Sequence, residues 1–117
     1  MLVDGGAPTL TDCRFEANVS ENGGGLYCEN TDIEFLRCDI LFNSAVESGA
    51  GLNLQGASVS IRECSITGNT SDVSGGGVLA VSGSMSILET TICENVPDQV
   101  IGDYILSVEG GVPNCVW

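Results

Sequence analysis

Two carboxylates, Asp32 and Glu34, stand at the i, i+2 spacing that acid–base chemistry on a strand would need. In an extended segment they project to the same side, about 6.6 Å apart. Inverting glycoside hydrolysis uses two carboxyls about 6.5–9.5 Å apart that frame the sugar. The positions that match them further along are bare serines: Ser58 and Ser60, then Ser84 and Ser86. There is no His, and the three cations are Arg14, Arg37 and Arg62. A lyase of the pectate type needs a basic proton acceptor, and these arginines are expected to be taken up by carboxylates on neighbouring coils. The expectation is a solvated strand face and no catalytic residue. The serine pairs, with Thr9 and Thr11, also form a partial hydroxyl array of the kind ice-binding solenoids use, interrupted by Asp32 and Glu34.

The six cysteines do not form a zinc pattern: no C-x-x-C occurs and His is lacking. A catalytic thiol would have no imidazole to activate it. Cys13, Cys38 and Cys64 fall in one inward column, read as small packed thiols; one disulfide between neighbouring rungs fits the allowed Cα range. Cys93 falls in an outward column and is expected to pair with Cys115. Glu21 and Glu47 share a turn column beside Asn18 and Asn43, but calcium wants six to eight oxygens and Val73 ends the column. No metal and no cofactor are assigned.

These residues need elements to hold them, and an internal repeat supplies them. Glycine clusters open at Gly23, Gly49 and Gly75, each 26 residues after the last. Ile33, Val59 and Met85 share a column with Pro8; Phe35, Ile61 and Ile87 share one with Leu10. Cys13, Cys38, Cys64 and Thr90 follow, then Phe15, Ile40, Ile66 and Ile92. Three residues later every unit has an asparagine: Asn18, Asn43, Asn69 and Asn95. Alternation in short runs predicts three short strands per coil, near 51–55, 58–62 and 64–67 in the third copy. One such unit cannot bury its inner face alone, whereas stacked parallel units can. The fold class is therefore all-β, a single-stranded parallel β-helix of about four coils of ~26 residues. The asparagines are expected to form a ladder in a turn, donating to the next coil and accepting from the last. Residues 1–102 are assigned to coils and 103–117 to an irregular C-terminal strand or cap.

Composition narrows the partners. The formal net charge of −13 argues against nucleic acid. No run reaches the ~18 apolar residues of a membrane span, so no direct membrane insertion is expected. Six cysteines favour an extracellular or cell-surface setting. No signal peptide is visible, and alignment places Val3 under Cys28, inside a first strand. The chain is therefore read as the later part of a longer solenoid. Its open first coil invites end-to-end self-association.

The run Gly5-Gly6-Ala7-Pro8-Thr9-Leu10-Thr11-Asp12-Cys13-Arg14-Phe15-Glu16-Ala17-Asn18, followed by Gly23-Gly24-Gly25-Leu26-Tyr27, resembles the repeats of polymorphic outer membrane proteins. Those are marked by GGA-aliphatic and F-x-x-N motifs. Phe15–Asn18 matches strictly; Ile40–Asn43, Ile66–Asn69 and Ile92–Asn95 keep the apolar residue and the Asn. The resemblance implies a right-handed helix and a secreted or surface-exposed protein. The expected function is a non-enzymatic adhesion, stalk or ligand-presenting segment. The alternative is a piece of a carbohydrate-active β-helix enzyme, a polysaccharide lyase or glycoside hydrolase, with its catalytic coils upstream. The face expected to meet a glycan or protein is the outer side of the first strands: Tyr27, Glu29, Asn53 and Gln55.

Overall fold

The computed structural model describes residues 2–73, 75–97, 100–102 and 106–109. The first coil carries β1 (Leu2–Asp4), β2 (Thr9–Thr11), β3 (Arg14–Glu16) and β4 (Val19–Asn22). The second carries β5 (Leu26–Glu29), β6 (Asp32–Leu36), β7 (Asp39–Leu41) and β8 (Ser44–Ser48). The third carries β9 (Leu52–Gln55), β10 (Ser58–Arg62), β11 (Ser65–Thr67) and β12 (Thr70–Ser71). Then follow β13 (Val78–Val81), β14 (Ser84–Leu88) and β15 (Thr91–Cys93), and finally β16 (Val100–Gly102) and β17 (Leu106–Glu109).

Every pairing between these strands is parallel and joins one coil to the next. The ladders run β1-β5-β9-β13-β16, β2-β6-β10-β14-β17, β3-β7-β11-β15 and β4-β8-β12. The coil length is 25 residues from Leu2 to Tyr27, then 26 from Leu26 to Leu52 and from Leu52 to Val78, then 22 from Val78 to Val100. The result is a parallel β-helix.

One expectation is corrected. A complete coil has four strands, not three, because the residues after each asparagine form their own ladder. Alternation marks a strand only where one face is buried. Here Val19, Val46 and Val73 lie outside at 76%, 56% and 66% exposure, so the apolar pattern there is inverted. Among the described residues the shorter last coil continues this ladder as a Thr70–Val96 bridge. Pro97 follows, with no N–H to offer. Of the segment set apart as a cap, Leu106–Glu109 pairs in register with Met85–Leu88. The remainder of 103–117 lies outside the described residues.

The core is the set of inward columns. Leu26, Leu52, Val78 and Val100 stack, as do Phe35, Ile61 and Ile87, and Ile40, Ile66 and Ile92, all buried. Leu10, Cys13 and Phe15 in the first coil pack on this core while half-buried. Between ladders the chain turns on single residues in the left-handed region. Gly5, Asn30, Gly56 and Ser82 make one corner. Asp12, Arg37, Glu63 and Glu89 make the second, Ala17, Phe42, Gly68 and Glu94 the third, and Gly23, Gly49 and Gly75 the fourth. Nine of these are not glycine and hold φ between 48° and 57°. A Cβ makes that conformation unfavourable by about 1–2 kcal/mol, which the stacked hydrogen bonds on either side outweigh.

The asparagine column holds the coils in register, each side chain donating to the asparagine of the next coil and accepting from that of the last. Each Oδ1 accepts from the coil before. Asn43 Oδ1 takes the backbone N and the Nδ2 of Asn18, both at 3.0 Å. Asn69 Oδ1 takes both from Asn43 at 2.9 Å, and Asn95 Oδ1 both from Asn69 at 2.9 Å. The second amide hydrogen reaches back to a carbonyl of the previous coil: Asn43 to Phe15 at 3.0 Å, Asn69 to Ile40 at 3.0 Å and Asn95 to Ile66 at 2.9 Å. Asn43, Asn69 and Asn95 are 1%, 0% and 3% exposed. A buried primary amide is satisfied here at every atom.

Two substitutions test this account by equilibrium denaturant unfolding. Asn69→Asp keeps the shape but replaces two donors with a buried acceptor facing Ile40 O and Asn95 Oδ1. It should destabilise by at least about 3 kcal/mol. Ser82→Gly, at an exposed corner with φ 55°, should leave stability unchanged or raise it by up to about 1 kcal/mol. A silent Asn69→Asp would remove the ladder from its central place.

Candidate functional site

The face expected to bind, on the outside of the first ladder, is only partly available. Tyr27 and Gln55 are half-buried and Glu29 is exposed, but Asn53 is 2% exposed. Its Oδ1 accepts from Gln55 Nε2 at 2.6 Å and its Nδ2 donates to Ser48 O at 3.4 Å. The cause is the preceding corner. At Gly49, φ is +67°, and a Cβ there would lie 2.6 Å from Asn53 Cβ. The corner thus folds over the strand it introduces. Gly23 sits over Tyr27 and Gly75 over Leu79 in the same way, and a Cβ on either would lie 2.8 Å from the neighbour's Cβ. Asn53 is therefore a structural amide rather than a contact residue.

The open concavity lies on the next ladder. A groove of about 530 Å³ runs along the outer side of β2, β6, β10 and β14. Its floor carries Thr9, then Asp32 and Glu34, then Ser58 and Ser60, then Ser84 and Ser86. Register places Ser58 between Asp32 and Ser84, and Ser60 between Glu34 and Ser86. Ala7 and Pro8 line it on the first coil. Strand alternation explains the lining: Ile33, Val59 and Met85 point inward and are buried, so their neighbours must point outward. Asp32, Ser58 and Ser84 are exposed; Glu34, Ser60 and Ser86 are half-buried. Neither carboxylate is in an ion pair and none of the four serine hydroxyls is hydrogen-bonded, among the described residues. Rungs about 4.8 Å apart thus present one polar group on the first coil, Thr9, and two on each of the next three, open to a ligand lying along the solenoid axis. Asp32 and Glu34 were singled out in the sequence; that their column is concave was not legible, because curvature comes from the corners.

Of the arginines expected to meet carboxylates on neighbouring coils, Arg37 does so, whereas Arg14 and Arg62 do not among the described residues. Arg37 Nε reaches Asp12 Oδ1 across one rung at 2.8 Å. The hydrogen bond from Arg37 holds the Asp12 carboxyl below its ordinary range, and Asp12 in turn raises Arg37. Arg14 turns along its own strand to Glu16 at 3.1 Å, although Asp39 is its register partner. Arg62 has no ion pair among the described residues.

The thiol column is a hydrogen-bonded structural feature. Cys13, Cys28, Cys38 and Cys64 are free. Cys64 Sγ accepts the amide of Cys38 at 3.4 Å and donates to Arg62 O at 3.1 Å. Thr90 repeats the arrangement one coil on, its Oγ1 accepting from Cys64 N at 3.2 Å and donating to Leu88 O at 2.9 Å. A hydroxyl and a thiol are interchangeable there, which is how Thr90 stands in a cysteine column. Burial pushes Cys28 up to about 12 and Cys64 up to about 11, and raises Cys38 as well. Cys93 is disulfide-bonded. Its expected partner Cys115 lies outside the described residues. Glu47 Oε2 accepts from Asn22 Nδ2 at 3.4 Å. No cluster of three or more His, Cys, Asp or Glu suited to a metal ion is assembled among the described residues.

Four parallel ladders around one apolar core, with a polar groove on the second, define a β-solenoid that offers a long open face. Residues 1–102 match the family of right-handed β-helix regions. The chain belongs to that family. No curated protein and no solved structure matches it.

The thiols give a pH signature. Unfolded thiols titrate near 9, while buried Cys28 and Cys64 stay protonated to about 12 and 11. Above pH 9 the unfolded state therefore binds fewer protons than the folded state. Stability should fall as pH rises from 9 towards 12, by up to about 1.4 kcal/mol per unit for each fully ionising thiol. At pH 8 a disulfide-exchange reagent should leave Cys28 and Cys64 unmodified in native protein and label both in denaturant. Rapid native labelling would show that these thiols are not held in the core.

Proposed function

We propose that the chain is a non-enzymatic, ligand-presenting segment of a secreted or cell-surface protein, and that the second-ladder groove receives an extended, hydroxyl-rich ligand such as a glycan. One observation carries this reading: serines, threonine and carboxylates repeat over four successive rungs of one concave face with their polar atoms unengaged. A polymer lying along the axis meets polar groups at every rung, carboxylates on one and hydroxyls on the others, so modest contacts add along its length. The net charge of −13 disfavours polyanionic chains and leaves neutral ones.

The electrostatics and geometry favour binding over cleavage. Asp32 and Glu34 leave the same face of the same strand. An inverting hydrolase needs its acid and base on opposite sides of the sugar, and a retaining one needs a nucleophile beneath the ring and an acid beside it. Two parallel carboxylates on a floor supply neither arrangement, and the chain has no His to complete one.

Glycan-array binding with the intact chain tests the reading. Retention of neutral oligosaccharides is expected. Ser60→Trp, which fills the groove floor, should reduce it at least about tenfold. Ser65→Trp, on the outer face of the third ladder, should leave it unchanged. Equal loss in both variants, or no retention by the native chain, would count against the groove. Release of reducing ends that disappears in Asp32→Asn would move the assignment to a carbohydrate-active enzyme.

A further inference from the structure

The chain contains two Asn-x-Ser acceptor sequences for N-linked glycosylation, Asn18-Val19-Ser20 and Asn69-Thr70-Ser71. Both asparagines belong to the amide ladder, yet their surroundings differ in the property that matters. A primary amide has two N–H hydrogens, and N-glycosylation replaces one of them. At Asn69 both are committed, to Ile40 O and to Asn95 Oδ1, and the side chain is 0% exposed. A sugar there would break one of these bonds and force a hydrated group into the core. The Asn18 side chain makes one hydrogen bond among the described residues, from Nδ2 to Asn43 Oδ1 at 3.0 Å. The residue is exposed, and so is Val19 beside it, at 76%. A secondary amide formed at Asn18 retains one N–H, which is what the bond to Asn43 requires.

We propose that Asn18 is an N-glycan acceptor when the chain passes through a secretory pathway equipped for N-glycosylation, and that Asn69 is excluded from folded protein. The proposal rests on the secreted placement suggested above. The donor is a lipid-pyrophosphate-linked oligosaccharide. A C–N bond forms between the anomeric carbon and Nδ2, the anomeric C–O bond to pyrophosphate breaks, and the amide proton is lost as the lipid pyrophosphate leaves. Neither oxidant nor reductant is needed. The ladder bond survives the reaction, so the modification adds a hydrophilic group to the first coil without releasing the register of the second.

The test is to express the full 117-residue chain behind an added secretory leader in a glycosylating eukaryotic host and to map peptides of the secreted protein. Supplying the leader separates this outcome from the question of native localisation. Enzymatic release of the glycan in ¹⁸O water should mark Asn18 as labelled Asp in most molecules and leave Asn69 unmarked. Asn18→Gln should abolish the mass increment while the protein is still secreted. Because Asn69 is read in the native sequence, the comparison needs no variant that could fail to fold. An unmodified Asn18 in secreted protein would overturn the proposal, and so would a glycan on Asn69 in folded material.

Discussion

A primary amide offers two hydrogens and two lone pairs at fixed angles, and one such group per coil ties the solenoid together. The ladder through Asn18, Asn43, Asn69 and Asn95 bonds backbone and side chain of one coil to a single oxygen of the next. Shifting a coil by one residue would turn its inward set outward, and here it would also leave three polar atoms unpaired in the interior. The register of every other column follows. Apolar residues stack by size and shape alone, which tolerates slippage; the amide does not. The coil length can relax only away from this point, as in the shortened last coil, where the fourth ladder continues as a single bridge among the described residues and the bond from Asn69 to Asn95 is kept.

Corners come second in this hierarchy. Four left-handed residues per coil turn an extended chain through a closed circuit, and only one of the four columns is all glycine. That column is singled out by crowding as well as by φ. At Gly23, Gly49 and Gly75 the backbone packs against the outward residue of the strand that follows, where no side chain fits. At the other corners the non-glycine residues are exposed, and Asp, Arg, Glu, Ser, Asn, Ala and Phe are accepted. The difference explains why the first ladder has a covered outer face and the second an open one.

This also sets the limit of what residue order reveals. The period, the inward columns and the paired register of Val3 with Cys28 follow from alternation and spacing, and the structure reproduces them. The fourth strand did not follow, because Val19, Val46 and Val73 turn outward and β4, β8 and β12 bury little. The burial of Asn53 did not follow either, because it depends on where the Gly49 corner passes. Register sets Arg14 beside Asp39, but a long side chain on a surface strand selects among several carboxylates, and Glu16 is within reach along the same strand. In each case a pairwise column was legible and the three-dimensional neighbour of that column was not.

Stacking makes a column of sequence into a line on the surface, so an outward position is multiplied by the number of coils. Repeating a charge along such a line is unfavourable, since like charges would face each other one strand apart. The groove column shows one solution: Asp32 and Glu34 occupy a single rung, Thr9 precedes Glu34, and serines occupy the two rungs after it. Hydroxyls can be repeated without that penalty, because each donates and accepts and none carries charge. A face built this way has two electrostatic characters along its length, one anionic rung followed by neutral ones. A neutral polar chain can follow all of it, whereas a polyanion meets repulsion at the carboxylate rung and a polycation gains only there. The neutral, hydroxylated ligand proposed for this face thus fits the way a solenoid must arrange polar groups to stack at all.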